Sequence, residues 1–290
     1  MVFLFKAFID STHMKFKILG SLDPTKFSDD AFPEGSTVVV DNPCYQGTGE
    51  ILFLVLLEPE VIGRTRRGAI ENAHRFYKVY TYDEQVIQAL PEKAVPIIYT
   101  ATSFNKDELA LFDVAKKEFA VSSWAATKIF PGVKGHELRA NLYFNQSLFP
   151  ENFTFFRSYR PFGNPQQVLP DIRGNPFFCE TKAPLFEKFQ FAITIENSKQ
   201  KNWFSEKLLD CLVTRCIPIY YGCTNISDYF DTTGWIIFSC QNELIEKIKN
   251  LTPEYYSKFS DVIEENYKRA IEYAIPEVNI ERCAKKHFIC

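Results

Sequence analysis

Residues 191–210 read FAITIENSKQKNWFSEKLLD, and the fold turns on where the apolar run inside them stops. Phe191 to Ile195 is of strand length and ends at Glu196-Asn197-Ser198. Read as a strand, it places the polar groups of Glu196 and Asn197 at the carboxyl edge of a sheet. Ser205-Glu206-Lys207 then opens a helical stretch. Ser205 is an N-cap residue, Glu206 suits the positive end of a helix dipole, and Leu208, Leu209, Leu212 and Val213 recur at helical spacing. Backbone N–H groups at such a helix start can hold a phosphate, Lys207 adds a compact cation, and Trp203 and Phe204 can stack on a base or sugar. The same residues also read as a capped amphipathic helix packed on a core. Residue types alone leave both readings open.

Outward from this stretch the chain alternates β-rich apolar runs with helical patterns, which predicts an α/β protein with parallel sheets. Before it, strands are expected over 16–19, 37–40, 51–57, 78–82 and 96–99, with helices around 69–76 and 106–115. A second series is expected from Lys117. It comprises strand 118–122, a helix around 136–145, strand 153–157, a Pro/Gly-rich loop from Pro161 to Pro176, and a short helix near Leu185 leading into strand 191–195. Helix 205–215, strands 217–221 and 235–238, and a helical region from Asn242 follow. Thr252-Pro253-Glu254 reads as a helix start there. Two successive series predict two Rossmann-like domains meeting at a cleft, with ligands beyond the carboxyl ends of the strands. The boundary is expected near residue 114, giving an acceptor domain over 1–114 and a donor domain over 115–290, with the C-terminal helix a candidate to pack back on the first domain.

Composition narrows the function. The chain has 290 residues, is 46% hydrophobic and carries a formal net charge of −3, so it can bury a sizeable core and offers no electrostatic case for nucleic acid as partner. Its start, MVFLFKAFIDSTHMKFKILG, is broken by Lys6 and Asp10, and the run from Ile51 to Leu57 is too short to span a bilayer. The expectation is a cytoplasmic chain without a membrane span. The eight cysteines form no CxxC pair and read as buried thiols. Cys283, His287 and Cys290 have helical spacing but lack a fourth ligand, so no metal site is expected. With no GxGxxG after an early strand and no GxxxxGK[ST], a dinucleotide oxidoreductase and a P-loop NTPase are both poorly supported. Nothing in the sequence speaks to oligomeric state.

The pattern ENS–x6–WFSEKLLDCLVTRCIPIYYGCTNISDYF resembles the donor-binding signature of glycosyltransferase family 10, the α-1,3/4-fucosyltransferases, in its soluble bacterial or viral form. The likeness covers about residues 189 to 238: an ENS/T element, a (T/S)EK helix start, a hydrophobic helix, and a PIYWG-type strand. That strand reads Ile217-Pro218-Ile219-Tyr220-Tyr221-Gly222 here, with Tyr221 where Trp is usual, and Asn225-Ile226 follows. Outside this region KGHELRANLY resembles the family's Arg-containing helix, and LLEP resembles its Glu-(Ser)-Pro element without the Ser.

The resemblance implies a GT-B fold and an inverting, metal-independent transfer of a sugar from a nucleotide diphosphate to a glycan hydroxyl, with no cofactor beyond the donor. GDP-fucose is the favoured donor. UDP-xylose stands as an alternative, because a small apolar sugar pocket discriminates weakly. A protein that binds nucleotide-sugar or carbohydrate without turnover is the second alternative. Glu58 is the implied catalytic base, and Arg139 and Lys207 are implied at the donor pyrophosphate. Glu206 is implied at ribose or sugar hydroxyls, Ser205 at the helix start, and Asn197 and Trp203 along the nucleotide pocket. Glu196 stands between direct contact and support of its neighbours. His136 and Tyr221 are further candidates, though a helix start accounts better for His136 and sheet packing better for Tyr221.

Overall fold

The computed structural model describes residues 15–47, 51–126, 130–158, 169–178 and 181–288. The apolar start of the chain, much of the loop that begins at Pro161, and Cys290 with the His287 side chain lie outside the described residues. The chain divides into two compact units, one built from residues up to Tyr99 with Lys201–Trp203 and residues from Ile275 onward, the other from Thr100–Gln200 and Phe204–Ala274.

In the first unit, β1 (Lys17–Leu19), β2 (Ser36–Val40), β3 (Ile51–Val55), β4 (Lys78–Thr81) and β5 (Ala94–Pro96) form one parallel sheet in sequential order, with α1 (Glu60–Gly63), α2 (Arg66–Glu71) and α3 (Glu84–Ala89) in the connections. β2 and β3 are buried almost throughout, which is why STVVV and ILFLV are continuous rather than alternating. Successive side chains point to opposite faces. Val39, Leu52, Leu54 and Val79 meet Ala69 of α2 and Val86 of α3 on one side, and Val38, Val40, Phe53, Val55 and Tyr80 build the core of the other. Each such side chain contributes about 1.5–3 kcal/mol when fully buried.

The second unit begins with α4 (Lys106–Leu109), followed by β6 (Glu118–Ala125), α5 (Lys134–Phe144), β7 (Phe153–Ser158), β8 (Phe177–Phe178), β9 (Phe189–Ile195), α6 (Glu206–Val213), β10 (Ile217–Tyr221), β11 (Ile236–Ile237), α7 (Gln241–Ile248), α8 (Tyr255–Lys258) and α9 (Ser260–Glu272). Its six parallel strands run in the order β8-β7-β6-β9-β10-β11. Strand order therefore reverses between β6 and β9, the switch point at which ligands bind in open α/β sheets. The last helix, α10 (Pro276–Phe288), belongs to the first unit, where Ile280 and Ala284 join Phe16, Phe27 and Phe32 over the sheet face opposite α2 and α3.

Local differences from the sequence expectations have identifiable causes. The strand expected over 96–99 begins earlier, at Ala94, and Ile97 only extends the ladder by donating its N–H to Thr81 O at 3.0 Å. The helix expected over 106–115 stops at Leu109. Asn105 and Glu108 form a capping box at its start, but a separate 3-10 turn at Val114–Lys116 with its own Asp113 cap replaces its second half. α6 ends before Arg215 because Arg215 adopts φ 58°, the left-handed conformation that ends helices. Thr252 starts a turn, its carbonyl accepting from Tyr255 N–H at 3.1 Å, and the helix proper begins one residue after Glu254. α3 is a helix the sequence reading did not anticipate. Among the described residues no helix is long and apolar enough to cross a membrane.

Candidate active site

The candidate residues of the second unit gather at the carboxyl end of β9, beside the reversal of strand order. Glu196 follows the strand directly and is fully buried. Its Oε1 accepts the Ser205 N–H at 2.9 Å and its Oε2 accepts the Ser205 Oγ–H at 2.6 Å. Burial pushes the Glu196 carboxyl above its ordinary range and nearby Glu206 adds to this, while Lys207 and the Ser205 bonds oppose it. Glu196 therefore stands under the site as a brace. It ties the strand end to Ser205, which caps α6 by accepting the Lys207 N–H at 3.3 Å.

Two glycines let the backbone close around this brace. A Cβ on Gly135 would lie 1.7 Å from Glu196 O, and one on Gly222 would lie 2.5 Å from Glu196 Cγ. Through Gly135, whose N–H donates to Asn197 O at 3.0 Å, the first turn of α5 docks on the Glu196–Asn197 backbone. That docking carries Arg139 to the strand end. One guanidinium nitrogen donates to Ile195 O and another to Asn197 Oδ1 at 2.9 Å, and the group lies 5.6 Å from the centre of the Trp124 ring. Burial lowers the Arg139 pKa to about 10, against the pull of Glu196 and Glu206, so it stays a cation at neutral pH.

Lys207 and Glu206 lie side by side at the α6 start, with Lys207 Nζ 3.0 Å from Glu206 Oε1 and 3.1 Å from Ser205 Oγ. Burial alone would raise the Glu206 carboxyl, but Lys207 and then Lys182 hold it far below the usual carboxylate range. Glu206 keeps 38% of its side chain exposed, so an ionised acceptor is presented to solvent beside two ammonium groups. His136 is buried on the α5 turn with its ring against Phe130, their centres 5.3 Å apart. Tyr221 ends β10 with only 7% exposure, and Lys199 Nζ lies 5.4 Å above its ring.

Glu58 and Trp203 belong to the first unit. The Glu58 segment follows β3 and is fixed through its backbone. Asp41 Oδ1 accepts the N–H of Leu57 at 2.7 Å and of Glu58 at 3.3 Å, and Glu58 O accepts the Tyr82 hydroxyl at 2.7 Å. Trp203 is buried and donates its indole N–H to Leu57 O at 3.0 Å, so its visible role is to hold this turn. Pro59 is the N-cap of α1. Asp41 has φ 50°, and burial, with Glu58 adding, pushes its carboxyl up to about 6.

The sequence assigns no role to Lys182, Asp210 or Asp41, and it shows Gly135 only as part of a helix start. Asp210 had a signal: it is the one charged residue in the run Leu208–Val213, one turn from Glu206, and it is fully buried. Lys182, Gly135 and Asp41 gain their partners only through the fold.

No family model matches the chain, and no curated protein matches it in sequence. Solved structures match it by fold. HepE of Anabaena, in complex with UDP-glucose, superposes with a TM-score of 0.57 at 12% identity, covering 88% of this chain and 78% of that one. A mutant of TarM from S. aureus, in complex with fondaparinux, α-GlcNAc-glycerol and UDP, gives a TM-score of 0.51 at 13% identity over 88% of this chain and 55% of that one. An α1,3-fucosyltransferase with GDP-fucose superposes more loosely, with a TM-score of 0.49 at 14% identity over 83% of this chain and 76% of that one. At these identities the likeness is one of fold. The GT-B class expected from the sequence is shown in this sense, as an α/β chain with two parallel sheets.

Proposed function

We propose that the chain is a glycosyltransferase that moves a sugar from a nucleotide diphosphate donor to a glycan hydroxyl, inverting the anomeric centre without a metal ion. One observation carries this reading: Arg139, Asn197, Ser205, Glu206 and Lys207 converge at the switch point of the second unit's sheet, where a cation pair and a helix start adjoin an ionised carboxylate. This is a chemistry suited to a diphosphate with hydroxyls attached. GDP-fucose is the proposed donor, on the resemblance of residues 189–238 to fucosyltransferases.

In the proposed reaction Glu58 accepts the proton of the acceptor hydroxyl, and that oxygen forms a bond to the anomeric carbon as the bond to the diphosphate breaks. Arg139, Lys207 and the amide groups at the α6 start take up the charge that develops on the leaving diphosphate. Glu206 accepts hydrogen bonds from ribose or sugar hydroxyls.

The test is an incubation of the protein with GDP- and UDP-sugars, GDP-fucose and UDP-xylose among them, together with acceptor glycans, with and without EDTA. Nucleotide release coupled to glycan extension in EDTA is the expected result. Binding without transfer or slow hydrolysis would favour a binding protein, and a strict divalent-metal requirement would overturn the proposed chemistry.

A further inference from the structure

Lys182 takes no part in the reading above, yet its ammonium group joins two carboxylates of α6. Nζ lies 2.8 Å from Asp210 Oδ2 and 3.7 Å from Glu206 Oε1. Asp210 is fully buried, and its other oxygen is spent on neighbours from the start of the second unit: Oδ1 accepts the Thr102 hydroxyl at 2.9 Å and the Ser103 N–H at 2.6 Å. A buried carboxylate with every oxygen engaged is costly to build, and an apolar pair of the same volume would stabilise a core at least as well. What an apolar pair could not do is hold a cation against Glu206. On its other side Glu206 meets Lys207, so its Oε1 is gripped by two ammonium groups carried on different segments.

We infer that Lys182, anchored by Asp210, is a positioning residue for the sugar-nucleotide: it orders the Glu206 carboxylate before the donor hydroxyls arrive. The inference rests on the donor reading of Glu206. Ordering an acceptor in advance removes a cost that would otherwise fall on binding, so the effect belongs in donor affinity rather than in the turnover rate. Burial disfavours the Lys182 ammonium, but Asp210 and Glu206 more than reverse this and keep it charged.

The experiment measures binding of GDP-fucose, UDP-xylose, GDP and UDP to the full chain by calorimetry, with the donor KM and kcat of transfer. Lys182→Gln keeps a hydrogen-bond donor for Asp210 and removes the charge beside Glu206. Lys182→Met with Asp210→Asn removes both charges and leaves no buried ion unpaired, so one variant remains if the other does not fold. Each is expected to raise the donor Kd and KM about tenfold with kcat changed much less, and Lys182→Arg to restore most of the affinity. In a Glu206→Gln background the same Lys182 variants are expected to change donor affinity little further, because Lys182 acts through Glu206. If Glu206→Gln weakens donor binding while the Lys182 variants bind as wild type, the inference falls and the donor reading stands. If the wild-type chain binds none of the four nucleotides, both fall together.

Discussion

Ser205 and Glu196 are joined twice, N–H to Oε1 and Oγ–H to Oε2, so that a strand end and a helix start share one carboxylate. Ser205 also caps α6, which makes a single hydroxyl answer for two elements. Ser205→Ala leaves one oxygen of a fully buried carboxylate without its partner and removes the cap. The expected cost is about 1–3 kcal/mol, read as a lowered midpoint in chemical denaturation, with Ser205→Thr much milder.

Gly135 makes the closest backbone approach at the site. Because a Cβ there would lie 1.7 Å from Glu196 O, Gly135→Ala must push the first turn of α5 off the strand end. Stability is expected to fall by about 1–3 kcal/mol. Donor affinity should fall as well, since Arg139 rides on the same helix. Unchanged nucleotide binding in a folded Gly135→Ala protein would count against Arg139 as a donor ligand.

Asp41 gives a pH dependence with a defined sign. Its carboxyl, raised mainly by burial from 3.8 to about 6, keeps its proton in the folded state to higher pH than in the unfolded chain. Its contribution is present at low pH and lost as pH rises through that window. Asp41→Asn preserves an oxygen for the Leu57 and Glu58 N–H groups and removes the titration. The variant should therefore gain stability relative to wild type as pH rises from 3.8 to about 6 and hold a constant difference above it, as followed by denaturation midpoints.

Glu58→Gln separates chemistry from binding. Loss of a general base is expected to slow transfer about 10²–10⁴-fold while donor affinity stays at the wild-type value. Arg139→Ala and Lys207→Ala are expected to weaken donor binding and to slow transfer as well, since both groups also meet the leaving diphosphate. Full transfer activity in Glu58→Gln would remove it as the base.

Much of the fold was legible because strands buried on both faces write themselves as apolar runs. STVVV, ILFLV, FQFAITI and IPIYY all became parallel strands. Short elements were harder. α3 is six residues under an Asp83 cap, too brief for helical periodicity to stand out, and α4 ends where a second cap competes with it. In the site, Ser205 through Lys207 could be read because cap, acid and cation are consecutive. Lys182 could not, because it meets Asp210 across 28 residues and no local pattern records that pairing. Gly135 was visible only as a helix start; that it makes room for the Glu196 carbonyl just past β9 is a property of packing.

The sequential strand order of the first unit has a consequence for how the chain is made. Right-handed crossovers between neighbouring parallel strands deliver their helices to one face only. Here α2 and α3 cover that face, and the opposite one draws Ile280 and Ala284 from α10, with Asp23 N–H bonded to Glu277 Oε1 across 254 residues. A nascent chain can pair β1 to β5 early, with Phe16, Phe27 and Phe32 covering part of the second face, but the part that Ile280 and Ala284 cover stays open through the whole synthesis of the second unit. Closure waits on long-range loop formation, the slow kind, and until then that face is the surface on which chaperones or self-association would act.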